Sequence, residues 1–320
     1  MVHLPLNVTT DAGESLKEEY QVGTTYPVYI LTDKSGDIIT RWTGYTGGAA
    51  MFVKTLNQKL KDLTTIKTRK NRFETNPNFT DAVYLARYNT DIYENLKAIE
   101  YFRRAEKLKT ITGYDFSFDI FKNSANAAWT DKLPFDSVLP AADAVVNAPK
   151  KNINNIIKVG EMMIRLGRKL GMADRIGKYL LAGLNITAGD SRYKEKHENF
   201  RADSALYIKK DTALCLEIKK ASMGDNWINE RDRFYMFSKW CLEREINLEE
   251  AEIHARRAID LVYPGKYRAR VLNTVAEICY ARGDGEEAVK IISLAIEQEP
   301  ENEFYQVQLE KFISKDPQSK

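Results

Sequence analysis

The sequence contains few of the residues on which catalytic and metal sites usually depend. Only three of its 320 residues are cysteine and only three are histidine. The histidines are scattered, without a second ligand at helical spacing, so a zinc site is not expected. The spacing of the three cysteines fits no metal-binding or redox motif. We therefore expect them to be buried apolar residues; they are Cys215, Cys241 and Cys279. We predict no metal and no cofactor.

Signals of membrane insertion and export are also missing. No stretch approaches the roughly 20 apolar residues of a membrane span. The first residues, MVHLPLNVTT, lack the basic and apolar regions of a signal peptide. If Met1 is the true start, we expect a soluble cytoplasmic protein, whereas loss of an upstream signal peptide would make the chain periplasmic or exported.

The charge balance and the motifs exclude several function classes. A net charge of only +3, from 48 basic and 45 acidic residues, does not indicate a nucleic-acid partner. The sequence has no G-x-x-x-x-G-K-[ST], no G-x-S-x-G and no H-E-x-x-H. TGYTGG has closely spaced glycines but no following Lys or Ser to hold a phosphate. The chain as given is therefore predicted to have no catalytic residues.

Residues 1–66 mix strand-like and helix-like segments in the order β-α-β-β-α. The first strand is expected at His3–Val8, followed by an amphipathic helix in ESLKEEYQV. PVYILTD and IITRWTGY flank a polar turn at Gly36 and predict a hairpin. AAMFVKTLNQKLKDL then carries apolar residues at helical spacing.

Residues 67–78 have the composition of a linker. This segment contains a basic cluster followed by Asn and Pro, with the cations Lys67, Arg69, Lys70 and Arg72. We interpret it as a solvated connector rather than a nucleic-acid patch.

From residue 79 onward the pattern is helix, turn, helix, repeated. The clearest unit, 269–302, resembles the 34-residue tetratricopeptide repeat, with apolar or small residues at the repeat's positions and Pro300 at the last one. Small side chains in this unit let two antiparallel helices approach closely. They are Ala276, Ala288 and Ala295.

Two further segments, 232–265 and 79–110, repeat this spacing. Ala251 and Ala258 recur 37 residues later at Ala288 and Ala295. Gly283 is expected to end one helix and Asp284 to cap the next, with Glu287 completing a capping box. The preceding repeat has Asn247 and Glu250 in the same places. Residues 111–230 are interpreted as degenerate repeats interrupted by prolines, and the aromatic residues in YDFSFDIFKNSANAAW as core rather than a ligand pocket.

The stretch YQVGTTYPVYILTDKSGDIITRWTGY resembles the second half of a thioredoxin domain. In that family a helix ending Y-x-V leads to a cis-proline, a strand, a glycine turn, a second strand and a terminal helix. The matching residues are Tyr20, Val22, Pro27, Asp33, Gly36, Arg41, Gly44 and Tyr45. The resemblance implies a partial thioredoxin-like fold for residues 1–66, in which Tyr26 and Pro27 contact a substrate peptide. Alternatively, Pro27 only fixes a turn.

The sequence departs from that family where its chemistry lies. The catalytic Cys-x-x-Cys and the central strand belong to the first half of the domain, and no cysteine precedes Cys215. One explanation is that Met1 begins inside a longer gene. The other is a reduced domain, in which the strands that lost their neighbour need another pairing partner.

In a helical-repeat domain, the first helix of each pair lines the concave face. In the two clearest units this face is predicted to carry Arg233, Met236, Trp240, Arg270, Asn273 and Glu277. Trp240 is the expected anchor, since aromatic residues dominate interface energies. Burial of Trp240 between helices is the alternative. The face lacks the Lys and Asn pattern that clamps a C-terminal carboxylate in chaperone-binding tetratricopeptide domains.

The predicted architecture is an α+β N-terminal part followed by an all-α, tetratricopeptide-like helical solenoid spanning 79–320. The predicted function is a non-catalytic scaffold that binds a protein or peptide, with no nucleic-acid partner, no membrane insertion and a redox-inactive thioredoxin-like remnant. The alternative is the C-terminal fragment of a thioredoxin-family thiol-disulfide oxidoreductase, since many bacterial proteins join such a domain to a repeat tail.

Overall fold

The computed structural model describes residues 7, 10–23, 27–44, 48–108 and 113–314. The chain divides into two compact units, Met1–Thr187 and Ala188–Lys320. Helices dominate both units, and the described residues form one two-stranded sheet. The domain bounds expected from the sequence, 1–66 and 79–320, are not those of the compact units and stay a prediction.

A β-hairpin between two helices forms the start of the N-terminal unit. The four elements are α1 (Asp11–Glu19), β1 (Val28–Thr32), β2 (Ile38–Thr43) and α2 (Gly48–Lys59). Their order matches the last four elements expected from the sequence, while the first expected strand, His3–Val8, lies outside the described residues except for Asn7. The thioredoxin-like resemblance therefore stays a prediction.

The hairpin turn has the polar geometry that its sequence predicts. Gly36 has a φ of +85°, a backbone conformation that favours glycine. The Asp33 carboxylate accepts hydrogen bonds from the backbone N–H groups of Ser35 at 2.8 Å and Asp37 at 3.0 Å. β1 and β2 pair antiparallel, with Val28 opposite Thr43. These bonds fix the turn and with it the strand register.

Arg41 on β2 connects the hairpin to the end of α1. Its side chain is buried, and Nη1 donates to the carbonyl oxygens of Tyr20 at 3.0 Å and Gln21 at 3.2 Å. The Tyr20 hydroxyl in turn donates to the carbonyl of Gly36 at 3.3 Å. The end of α1 is thus held against both β2 and the turn, because its orphan carbonyls accept from a buried cation.

The expectation of a solvated connector at 67–78 is wrong. Ile66–Thr75 forms a helix, α3, capped by the Thr65 side chain, which accepts from the backbone N–H of Thr68 at 3.1 Å. Phe73 and Arg69 are fully buried. Composition misled the interpretation because Arg69 and Arg72 of this helix pair with carboxylates, which a sequence pattern does not reveal.

A buried carboxylate, Asp81, joins α3 to the following helix, α4 (Phe79–Asp91). Asp81 accepts one hydrogen bond from Arg69, at 3.0 Å, and two from Arg72, both at 2.6 Å. Arg69 also pairs with Asp62 at 2.6 Å. Burial alone would raise the pKa of Asp62, but hydrogen bonds from Arg69 and Thr64 lower it to about 2. Asp81 is likewise held ionised, its pKa lowered by hydrogen bonds that outweigh burial.

The remaining helices of the N-terminal unit pack mainly against their neighbours in sequence. Proline lies between helices at Pro134 and Pro149, and in the first turn of a helix at Pro140, as its missing N–H requires. Phe116 and Phe121 are core residues. The helices are α5 (Asn95–Leu108), α6 (Ser117–Trp129), α7 (Leu139–Val146), α8 (Ile153–Lys169) and α9 (Gly177–Thr187).

The described residues of the C-terminal unit form three pairs of α-helices followed by a single α-helix. Each pair is joined by a short connection, so its helices are antiparallel neighbours. The helices are α10 (Lys194–Tyr207), α11 (Thr212–Ser222), α12 (Arg231–Arg244), α13 (Leu248–Asp260), α14 (Lys266–Ala281), α15 (Gly285–Gln298) and α16 (Glu303–Ser314). The sequence predicts repeats in the segments 232–265 and 269–302 of this unit and in 79–110 of the N-terminal unit. Each of these three segments holds two helices.

Alanines lie at the helix contacts as expected. The small residues predicted there have no exposed surface, and the same holds for three more alanines of these segments: Ala251, Ala258, Ala276, Ala288 and Ala295, with Ala98, Ala105 and Ala255. Gly283, at a φ of +88°, ends α14. Asp284 caps α15 by accepting from the N–H of Glu287 at 3.0 Å.

The prediction that Asn247 caps α13 in the same way is wrong. Asn247 has a φ of +51° and makes no side-chain bond to the N–H groups of α13. Its amide instead donates to the Glu250 carboxylate at 2.6 Å, and Lys220 pairs with the same oxygen at 2.8 Å. The left-handed backbone at Asn247 places its side chain beside a carboxylate rather than over the helix end.

Replacing Asp81 by Asn should destabilise the N-terminal unit by about 3 kcal/mol or more, because Arg69 would lose a buried counter-charge. Urea unfolding followed by circular dichroism measures the change in the free energy of unfolding.

The matched control is Asp136→Asn in the same unit. Asp136 is exposed and pairs with Arg175 at the surface, so we expect a loss of about 0–1 kcal/mol. Equal losses in the two variants would contradict the assigned role of Asp81.

Candidate functional site

The surface predicted from the sequence lies on α12 and α14, the first helices of two successive pairs. The Tyr235 hydroxyl on α12 and the Thr274 hydroxyl on α14 are 3.1 Å apart and share a hydrogen bond. The rings of Tyr235 and Tyr267 meet edge to face at 6.1 Å. The two helices touch along this side, and the exposed or polar residues predicted on them are here called the α12–α14 face. It comprises Arg233, Met236, Arg270, Asn273 and Glu277.

Two exposed side chains dominate the α12–α14 face. Met236 is 57% exposed, and Arg270 is also exposed. Arg233 is exposed but engaged, since its Nε lies 2.6 Å from a Glu230 carboxylate oxygen and its Nη1 donates to the carbonyl of Met223. Methionine adapts its shape to different partners and arginine forms directed bonds. The α12–α14 face therefore includes an exposed methionine on α12 and an exposed arginine on α14.

Glu277 is the centre of a polar cluster that extends the face to α16. Its carboxylate accepts from the amide of Asn273 at 3.1 Å and from the amide of Gln308 at 3.1 Å. Burial raises the pKa of Glu277, although the charges of Lys311 and Lys239 and the hydrogen bond from Gln308 oppose this shift. The cluster links α14 and α16 side by side.

One acceptor in this cluster is unsatisfied. Asn273 is 8% exposed, and its Oδ1 is buried with no hydrogen-bond partner among the described residues. Leaving a buried acceptor unpaired costs free energy, so this polar cluster carries a local cost in stability.

Trp240, the anchor expected from the sequence, is buried, unlike Met236 and Arg270. It is 7% exposed, with the Arg244 guanidinium 4.3 Å and the Lys219 ammonium 5.4 Å from its ring centre. Arg244 is itself fixed by two bonds to the buried carboxylate of Asp203, at 2.6 and 2.9 Å. Although helical spacing aligns Trp240 with Met236, side chains from α10 and α11 cover the last turns of α12. The structure favours the alternative interpretation, burial between helices.

Pro27 immediately precedes β1, where its missing N–H costs no ladder bond. Its carbonyl accepts from the N–H of Gly44 at 2.9 Å. Tyr26, the other residue of the expected thioredoxin-like groove, lies outside the described residues. The groove residues therefore stay a prediction.

The three thiols lie in environments that suppress thiolate formation. Cys215, Cys241 and Cys279 are all buried, and burial raises the pKa of each to about 12. A thiol of raised pKa is a poor nucleophile at neutral pH. Over the described part of the chain, no group of three or more His, Cys, Asp or Glu side chains is arranged to hold a metal ion. Nor does any described helix have the length and apolarity needed to cross a membrane.

The sequence interpretation missed α16 and a groove on α5. Gln308 lies 35 residues after Asn273, close to the repeat period, so extending the repeat past Pro300 would have found it. The groove on α5 has no comparable signal, because its lining comes from three separate segments.

Comparisons with known proteins assign neither a family nor a fold to this chain. No family model matches the chain, and no curated protein matches it. Among solved structures, the crystal structure of MamA protein aligns with 59% of this chain and 96% of that one, at 16% sequence identity and a TM-score of 0.31. A score this low assigns no fold.

Ellman's reagent should react with the native thiols at least about a hundredfold more slowly than with the urea-unfolded chain, because burial and a raised pKa both remove thiolate. Unfolding should release all three thiols. Rapid native labelling, or reduction of insulin disulfides by the chain, would contradict this expectation.

Glu277 should titrate above its ordinary value of 4.5, as measured by carbon-13 NMR of its carboxyl group with Glu277→Gln for assignment. Replacing Lys311 by Met should raise the pKa further by removing an opposing charge. Because the raised pKa means that the folded state binds the proton more tightly, ionisation of Glu277 should lower stability as the pH rises above 4.5. Titration at or below 4.5 would refute the burial of this carboxylate.

Proposed function

We propose that this chain is a non-catalytic scaffold whose helical repeats, of tetratricopeptide type, bind a segment of a partner protein. The observation that carries the proposal is the lateral joining of α12, α14 and α16. Tyr235 with Thr274 connects the first two helices, and Glu277 with Gln308 connects the last two. Three first helices so joined present their outer side chains as one surface, which is how repeat proteins recognise extended partners.

The composition of the α12–α14 face supports this function. Methionine and arginine are enriched at protein interfaces, while lysine and glutamate are depleted. Met236 on α12 and Arg270 on α14 are both exposed, and Asn273 is buried. The side chains of a bound peptide segment can pack against Met236, which is 57% exposed.

The proposal includes a thioredoxin-like remnant at residues 1–66. Its support is the order α1–β1–β2–α2 and the position of Pro27 at the start of β1. In the alternative function, the chain is the C-terminal fragment of an oxidoreductase and the Cys-x-x-Cys lies upstream of Met1. Sequencing the coding DNA upstream of Met1 distinguishes these, since an in-frame Cys-x-x-Cys favours the oxidoreductase.

The scaffold function is tested by panning a phage-displayed peptide library against the whole chain. Peptides that bind are then synthesised, and their Kd is measured by fluorescence anisotropy. We expect Met236→Asp and Arg270→Glu each to weaken binding by about tenfold or more, since a few anchors carry most interface energy.

Matched controls lie on α15, a second helix of a pair. Leu294→Asp and Lys290→Glu make the same chemical changes at exposed positions and should leave Kd within about twofold. The proposal fails if no peptide is enriched, or if the α15 variants weaken binding as much as the α12–α14 variants.

A further inference from the structure

A groove in the N-terminal unit is independent of the α12–α14 face. Its volume is about 540 Å³, and one side of α5 forms its longest wall. Ser124 of α6 and two residues from the segment after α6, Leu133 and Ser137, complete the lining. The α5 residues in it are Leu96, Ile99, Glu100, Arg103, Arg104 and Lys107. The feature is large enough to hold a side chain and part of a peptide backbone.

Apolar side chains line one part of this α5 groove. Leu96 is 46% exposed although it lies in a concave region, and Leu133 is half-buried. Ile99 lies between helices and is mostly buried. Covering Leu96 and Leu133 with an apolar ligand side chain would remove their surface from water, which favours binding.

Two cations in the groove have no carboxylate partner in the described part of the chain. Arg103 and Lys107 are exposed and one helical turn apart, and no described carboxylate lies within 4.0 Å of either. Arg104 differs, since it lies 3.5 Å from Glu100 and stacks over Phe73 at 4.2 Å. Glu100, the acidic residue of the lining, therefore has a partner, whereas no carboxylate among the described residues pairs with Arg103 or Lys107.

We propose that the α5 groove binds an acidic peptide segment of a partner protein. One apolar side chain of the segment packs on Leu96 and Leu133, and its carboxylates pair with Arg103 and Lys107. Cations four residues apart on a helix are about 6 Å apart along its axis. This spacing suits two carboxylates on one peptide, and arginine binds a carboxylate through two parallel bonds.

The experiment uses the whole chain and short fluorescein-labelled peptides as probes. Each peptide has a central Leu or Phe and two Glu residues at varied separations, and its partner peptide has Gln in place of both Glu. We expect at least one Glu peptide to bind about tenfold more tightly than its Gln partner, because charge-assisted bonds are the stronger ones. Raising the salt from about 50 to about 200 mM should weaken that binding.

Variants on α5 locate the site. Arg103→Glu and Lys107→Glu should each weaken the Glu peptide about tenfold, and Leu96→Ser should weaken both peptides. Lys97→Glu is the control, since Lys97 lies on the same helix, is 64% exposed and does not line the groove. Its Kd should stay within about twofold of the unmodified chain. Circular dichroism confirms that each variant is folded.

Three outcomes would overturn the proposal. They are the absence of binding by every peptide, equal binding of Glu and Gln peptides, and equal weakening by Lys97→Glu and Lys107→Glu. The last would mean that the general positive charge of the helix attracts the peptide. Because these variants leave α12 and α14 unchanged, failure here is distinguishable from failure of the proposed function.

Discussion

The close approach of paired helices at alanine positions is the constraint on which the rest of the structure depends. Helices pack with their axes about 8–10 Å apart, and the lower end of that range requires small side chains at the contact. Ala276 on α14 and Ala288 and Ala295 on α15 meet this requirement with no exposed surface. Where the pairs are this tight, the side chains on their outer faces are positioned by rigid backbone.

Buried ion pairs add a second type of constraint in each unit. In the N-terminal unit Asp81 is shared by Arg69 and Arg72, and in the C-terminal unit Asp203 binds Arg244 through two bonds. The desolvation of such pairs offsets much of their attraction, so they add little net stability. Their effect is that each carboxylate accepts the fork of an arginine in one geometry only, which fixes how neighbouring helices are aligned.

The two candidate surfaces arise from the same packing in different ways. On the α12–α14 face, hydrogen bonds between first helices draw polar side chains together and leave one acceptor, Asn273, unpaired. In the α5 groove, the segment after α6 contributes Leu133 beside the exposed cations Arg103 and Lys107. Neither surface depends on the N-terminal hairpin, whose contacts with α3 and α4 are structural.

The sequence by itself determined the local features of this protein. The glycine turn at Gly36 and the Asp284 cap depend on neighbours within a few residues, and both lie where their patterns predict. The Asn247 cap and the helix α3 are the local features for which the pattern was misleading. The tertiary structure alone decided which side chains are reachable. Trp240 and Met236 share a helical face in sequence, yet only Trp240 is covered by α10 and α11. The sequence predicted that Arg69 is a solvated cation, but in the structure it is buried and donates a hydrogen bond to Asp81, twelve residues away. Burial and charge pairing are set by contacts between elements distant in the chain, and a single sequence carries no direct signal of such contacts.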